Sequence, residues 1–150
     1  MDDKDRAILR LLQQDGRLAN ADLAERVNLS ASACLRRVRL LEEAGIVSGY
    51  AALLEPKAVG LPAVAFVFVT LDQQGRAALD RFEAAVSRHP EIMECYLLAG
   101  AADYLLRIAY DDASDFERVH TAILTQLPGV VRVQSTLALR TVKKTTALPV

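Results

Sequence analysis

The apolar positions change period part-way along the chain. Over the first fifty residues they recur with the helical period. Ile8, Leu11 and Leu12 form an i, i+3, i+4 stripe. Asp2, followed three residues on by Asp5, predicts an N-cap with an acidic partner, and Gly16 predicts the stop. Asn20 reads as the cap of a second short helix carrying Leu23, Ala24 and Val27. Asn28 and Leu29 make a tight connection. Ser30 then caps a third helix with the stripe Cys34, Val38 and Leu41, ended by Gly45. Ile46 to Leu54 reads as one short strand or an extended arm. Pro56, Gly60 and Pro62 mark a linker from Glu55 to Pro62.

Beyond that linker the pattern predicts strands alternating with helices. Ala63 to Leu71 is a strand with apolar residues on both faces, so both faces are expected to be covered. A helix over Gly75 to Arg88 places Leu79, Phe82 and Val86 together. Ile92 to Ala99 and Asp103 to Tyr110 are strands joined through Gly100-Ala101-Ala102. Ser114 with Glu117 predicts a capping box for a helix bearing Phe116, Val119, Ile123 and Leu127. Pro128-Gly129 breaks that helix, and Val130 to Leu139 is the last strand. The order β-α-β-β-α-β is the ferredoxin-like pattern. The expected fold class is therefore α+β, with a helix-turn-helix half over 1–50, a linker strand over 51–61 and a ferredoxin-like half over 62–150.

Composition narrows the function classes. The 150 residues are 52% hydrophobic and 25% charged, which is globular. Eighteen basic and nineteen acidic residues (18 and 19) leave a net charge of -1, so a polyanion would have to meet a local patch. Two cysteines, Cys34 and Cys95, are too few for a disulfide scaffold. The start Met-Asp-Asp-Lys-Asp is no signal peptide, and the near-apolar run Leu61 to Leu71 is too short to span a bilayer as a helix. A cytoplasmic protein with no membrane association is expected. Two lone histidines, His89 and His120, give no metal spacing, and no nucleophile-base pair, P-loop or dinucleotide fingerprint is present.

The local patch is on the third helix. With Cys34, Val38 and Leu41 inside, the opposite face carries Ser32, Ala33, Arg36, Arg39, Leu40 and Glu43, with Arg37 on the flank. From Arg26 to Leu41 there are arginines and no acid, although residues 1–50 are neutral overall. Guanidinium forks suit phosphate oxygens and guanine edges, and a helix N-terminus adds partial positive charge. A solvated helical face is the competing reading. The acid-free tail with Arg140, Lys143 and Lys144 reads as solvated, with contact to wrapped DNA as its alternative.

Several motifs then fall into one frame. They are Asp2-x-x-Asp5-x-x-Ile8-Leu9, Asp15-Gly16-Arg17, Asp22-Leu23-Ala24-x-x-Val27, and Leu29-Ser30-x-Ser32-x-Cys34-Leu35-x-Arg37-Val38-x-x-Leu41-Glu42-x-x-Gly45-Ile46. Leu97-x-x-Gly100-x-x-Asp103-Tyr104-Leu105-Leu106 and Leu127-Pro128-Gly129-Val130 complete them. Together they cover almost the whole chain, which resembles the leucine-responsive/asparagine (Lrp/AsnC, "feast/famine") transcription factors.

The resemblance implies a sequence-specific regulator, not an enzyme, with a winged helix-turn-helix half that binds double-stranded DNA. It implies an extended linker strand and a regulatory half that dimerises through its sheet, with further assembly commonly to octamers. It implies no cofactor but a small amino-acid effector near the Gly-x-x-Asp loop, at the interface between dimers. By resemblance Ser32, Arg36, Arg37 and Arg39 carry the DNA contacts. Gly100, Ala101, Ala102 and Asp103 form the effector loop, with Ser135 and Thr136 on the last strand. Many relatives have polar or aromatic residues where this chain has Ala101 and Ala102, so an effector-independent regulator remains an alternative. Another is an enzyme resembling the siroheme decarboxylases, which share the two-half architecture.

Overall fold

The computed structural model describes every residue from Met1 to Val150. It divides the chain into two units, Met1–Leu53 with Val142–Val150, and Leu54–Thr141.

The first unit is built on three helices, α1 (Asp3–Gln14), α2 (Asn20–Arg26) and α3 (Ala31–Glu43). Ile8, Leu9, Leu23, Ala24, Val27, Cys34 and Leu41 are its buried cluster. The cap of α1 is the expected box. The Asp2 carboxylate accepts from the Asp5 N–H, and the Asp5 carboxylate accepts from the Asp2 N–H, both at 2.9 Å. Ser30 caps α3, accepting from the Ala33 N–H at 3.2 Å. Asn20 is not a cap. It is the first helical residue of α2, behind Ala19, and its amide instead donates to the Ala31 carbonyl at 2.9 Å. That bond ties the start of α2 to the start of α3. Between the two helices Asn28 takes φ 53°, and the Leu29 N–H closes back on the Ala24 carbonyl at 2.9 Å. Asparagine tolerates this left-handed turn better than most side chains. The Lys4 ammonium donates to the C-terminal end of α2 at the Val27 carbonyl, at 2.6 Å.

Residues 46–54 form no strand, so the arm is the outcome there. Tyr50 folds back: its ring lies 3.1 Å from where a Cβ on Gly16 would sit, and its hydroxyl donates to Glu42 at 2.9 Å.

The second unit has strands β1 (Ala63–Leu71), β2 (Ile92–Leu97), β3 (Tyr104–Tyr110) and β4 (Val130–Leu137), with helices α4 (Arg76–Val86) and α5 (Ala113–Ala122). The sheet order is β2-β3-β1-β4, with antiparallel neighbours throughout. That is the ferredoxin-like topology. The period of two divides each strand between faces. Ala65, Val67, Val69 and Leu71 of β1 and Tyr104, Leu106 and Ile108 of β3 pack with Phe82, Val86, Val119, Ile123 and Leu124. Phe82 and Tyr104 meet at 4.4 Å between ring centroids. The cap of α5 is Asp112 rather than Ser114. One Asp112 carboxylate oxygen accepts from the Ser114 and Asp115 N–H groups, both at 2.9 Å. A carboxylate at the cap position reaches both free amides, which leaves Ser114 inside the first turn. Gly129 sits at φ +75°, where an added Cβ would come within 2.9 Å of the Asp72 carboxylate, so this turn requires glycine.

The expectation that both faces of β1 are covered fails within one chain. The register pairs Phe66 with Thr136, Phe68 with Gln134 and Thr70 with Arg132 on the face turned away from the helices. There Phe66 is 38% exposed, and Val64, Phe68 and Leu105 are only half-buried. Two helices can cover one side of a four-stranded sheet and not the other.

Candidate functional site

The outward face of α3 is assembled from its own start. Ser30 fixes the first turn, so Ser32, Arg36 and Arg39 all project into solvent. Neither Arg36 nor Arg39 makes a hydrogen bond or an ion pair within the chain. They are three apart on a helix, so their guanidinium groups share one face. A pair of unpartnered forks on one helix face suits a phosphodiester and base edges.

Arg37 is placed differently. One of its nitrogens, Nη1, lies 2.8 Å from the free Asp2 carboxylate oxygen and 2.7 Å from that of Asp5. These are the two oxygens left over by the capping box. Arg37 therefore joins α3 to the cap of α1. The two carboxylates raise the Arg37 pKa above its ordinary value. The Asp2 carboxyl is held below its own, first by the Asp5 N–H and then by Arg37.

In the second unit a groove of about 370 Å³ opens at one end of the uncovered sheet face, at the small end of ligand-sized clefts. It is lined by Phe68, Thr70, Leu98, Ala101, Ala102, Arg132 and Gln134. Four of these are apolar. Arg132 has no acid partner, and its only bond is a long one to the Gln134 side chain, at 3.5 Å. The groove thus offers one available positive charge, an amide, a hydroxyl and an apolar wall.

Of the expected effector residues, Ala101 and Ala102 line this groove and Gly100 is exposed at the same turn. Gly100 has no left-handed φ, and a Cβ there would meet nothing within 4 Å. The chain's own geometry therefore does not demand glycine at this position. Asp103 closes the turn. Its carboxylate Oδ2 accepts from the Leu71 N–H at 2.7 Å, its N–H donates to Val69 at 2.9 Å, and its carbonyl accepts from Leu98 at 2.8 Å. Oδ1 takes no bond within the chain. Ser135 lies on the helix-facing side, its hydroxyl buried without a partner, while Thr136 is exposed on the open face.

Sequence reasoning missed Phe68, Thr70, Arg132 and Gln134. The alternation of β4 puts Arg132 and Gln134 on one face, but only the register of β1 against β4 sets them opposite Thr70 and Phe68. Neither cysteine is activated. Burial raises the Cys34 thiol, and burial followed by the nearby Glu83 charge pushes Cys95 up to about 11. No group of three or more metal-ligating side chains is present.

Comparison with known proteins gives two family matches. Residues 1–48 match the winged helix-turn-helix DNA-binding family, and residues 64–148 match the Lrp/AsnC ligand binding domain. A leucine-responsive regulatory protein of Rhizobium meliloti is 43% identical over 143 residues, spanning 95% of this chain and 92% of that protein. A transcriptional regulator from Neisseria meningitidis, solved in complex with L-Met, is 43% identical. It superposes with a TM-score of 0.94, covering 99% of this chain and 96% of its own. An AsnC family transcriptional regulator from Agrobacterium tumefaciens is 38% identical with a TM-score of 0.95, covering 99% of this chain and 97% of its own.

The Arg37 geometry has a direct test. Arg37→Ala frees two neighbouring carboxylates and lowers the melting temperature of the first unit, whereas Arg36→Ala leaves it unchanged. The Asp2 pKa is depressed in the folded state, so its contribution is present above the ordinary carboxylate value near 3.8 and is lost as pH falls through the lowered one. Thermal melts at neutral and at low pH check both. The gap between wild type and Arg37→Ala narrows in acid.

Proposed function

We propose that this chain, which belongs to the Lrp/AsnC family of transcriptional regulators, reads DNA as a dimer through α3 and responds to a small apolar amino acid held in the sheet groove. The observation that carries the DNA reading is the pair of unpartnered guanidinium groups, Arg36 and Arg39, on the outward face of a capped helix. Ser32 belongs to the same contact surface. Arg37 acts through position, holding α3 against α1, rather than by touching DNA. In this reading Arg36, facing away from the buried stripe, meets a base edge and Arg39 meets a phosphate.

The dimer follows from the uncovered sheet face. Phe66, Phe68, Val64 and Leu105 offer an apolar centre, rimmed by the Arg107–Glu94 ion pair at 2.6 Å. A second copy brings the same surface, and sheet-on-sheet packing covers both. A two-fold dimer presents two recognition helices to two half-sites, about one helical turn of DNA apart.

The effector reading is supported by the chemistry of the groove. Arg132 suits a carboxylate and can grip both its oxygens. Phe68, Leu98, Ala101 and Ala102 suit an apolar side chain. The Gln134 carbonyl and the Thr70 hydroxyl are acceptors for an ammonium group. The L-Met complex of the Neisseria relative has a ligand of this chemistry. The named relatives are regulators, and we read the chain as a regulator rather than an enzyme.

Two measurements test this. In binding assays across a set of operator variants, Arg36→Ala relaxes preference at one base pair by roughly 1–3 kcal/mol. Arg39→Ala weakens all sequences alike and flattens the salt dependence by about one phosphate. Equal affinity and equal selectivity in both variants would remove α3 as the reader. For the effector, a thermal-shift screen of the twenty amino acids compares wild type with Arg132→Ala. A bound amino acid stabilises by about 2.7 kcal/mol at a hundredfold excess over its dissociation constant. The shift is expected from an apolar amino acid and is lost in Arg132→Ala, whose exposed side chain carries none of the fold. Asp103→Ala is a poorer probe, because it also removes the bond to Leu71.

A further inference from the structure

The outward side of α1 is occupied. Arg10 and Gln13, three apart and so on one face, read the backbone of an extended segment. The Gln13 side-chain amide donates to the Leu148 carbonyl at 3.1 Å, and its oxygen accepts from the Leu148 N–H at 2.5 Å. The Arg10 Nε donates to the Val150 carbonyl at 2.7 Å. Gln13 thus satisfies both backbone groups of one residue, as a neighbouring strand would. The Leu148 side chain plays no part and is 70% exposed. The one side chain that anchors the segment is Val150, which packs on the buried cluster of the first unit.

The segment is shaped for this fit. The Val150 N–H donates back to the Leu148 carbonyl at 3.0 Å across Pro149, whose ring restricts φ to the range that such a turn needs. The Ala147 N–H donates to the Thr145 hydroxyl at 3.1 Å. A pre-turned peptide loses less entropy on docking than a free one.

From this we infer that the Arg10–Gln13 face of α1 is a peptide-docking site whose occupant is residues 145–150 of the same chain. Docking makes that segment a strap that fixes the reading unit at a second point. The polypeptide leaves the first unit after Leu53 and returns to it at Val142. The reading helices are therefore attached to the regulatory sheet at both ends of residues 54–141, and not only through the arm. A contact of three backbone hydrogen bonds and one valine is weak by itself. It holds because the chain supplies its own segment at an effective concentration of about millimolar.

The test is hydrogen exchange of α1 in the full chain, measured without DNA or amino acid so that it is independent of the effector. Leu148→Pro removes the donor to Gln13 and leaves every core side chain in place. Gln13→Ala removes the receptor, and a chain ending at Lys144 removes the strap. All three are expected to speed exchange in the second half of α1 severalfold. Gln13→Ala is expected to add nothing in the chain that ends at Lys144, because the two changes break the same contact. A peptide of residues 143–150, supplied at about millimolar concentration, is expected to restore protection to the shortened chain but not to its Gln13→Ala form. Unchanged exchange in Leu148→Pro and in the shortened chain overturns the strap. So does a peptide that protects both shortened forms equally.

Discussion

β1 carries apolar side chains on both of its faces, and the fold supplies helices for only one. Val67 and Val69 are sealed under α4 and α5, while Phe66 and Phe68 face the other way on the same strand. Burying a phenylalanine is worth roughly 1.5–3 kcal/mol, so this surface favours whatever covers it. In the proposed dimer a second copy does so with the same residues and generates a two-fold axis. The axis gives a single recognition helix a partner and turns one short DNA contact into two. The groove proposed to hold the effector lies at one end of the same face, so in the proposed function covering the sheet and responding to a ligand involve neighbouring side chains.

The reading unit shows how one set of side chains can be shared between folding and recognition. Three arginines follow closely on α3, and the helical period sets Arg37 on the flank without showing what it meets there. Arg37 is taken up by the two carboxylates of the α1 cap, so that cap and recognition helix are one construction. Arg36 and Arg39 are left without partners and carry the positive charge outward. Within the neutral overall balance of residues 1–50, Asp2 and Asp5 are engaged at the start of α1 by Arg37, while Arg36 and Arg39 pair with no acid.

Much of this was legible in the sequence because it depends on local chemistry. The helical stripes, the Asp2–Asp5 box, the Ser30 cap, the positive φ at Gly45 and the six-element order of the second unit follow from neighbours a few residues apart. What was missed depends on contacts distant in sequence. Asn20 looked like a cap, but its amide is drawn to Ala31. Arg132 falls within the last strand, and only the register sets it opposite Thr70. Asp103 falls in the expected effector loop, and the bond from the Leu71 N–H to its carboxylate comes from a residue 32 positions away. Residues 142–150 carry no periodicity at all, and their docking on α1 is specified by Gln13, more than a hundred positions earlier.

The central claim is that the uncovered sheet face is the dimer interface, and that the dimer is the form that reads DNA. Light scattering and operator binding on the full chain and on Phe66→Glu test it together. Phe66 is at the centre of the face and absent from the core beneath the helices, so a charge there leaves each protomer folded. The account predicts that the wild type is at least a dimer. It also predicts that Phe66→Glu keeps its circular dichroism, becomes a monomer and loses tight binding to a two-half-site operator while still contacting a single half-site. A monomeric wild type, or a Phe66→Glu protein that stays dimeric and binds the operator as before, would contradict it.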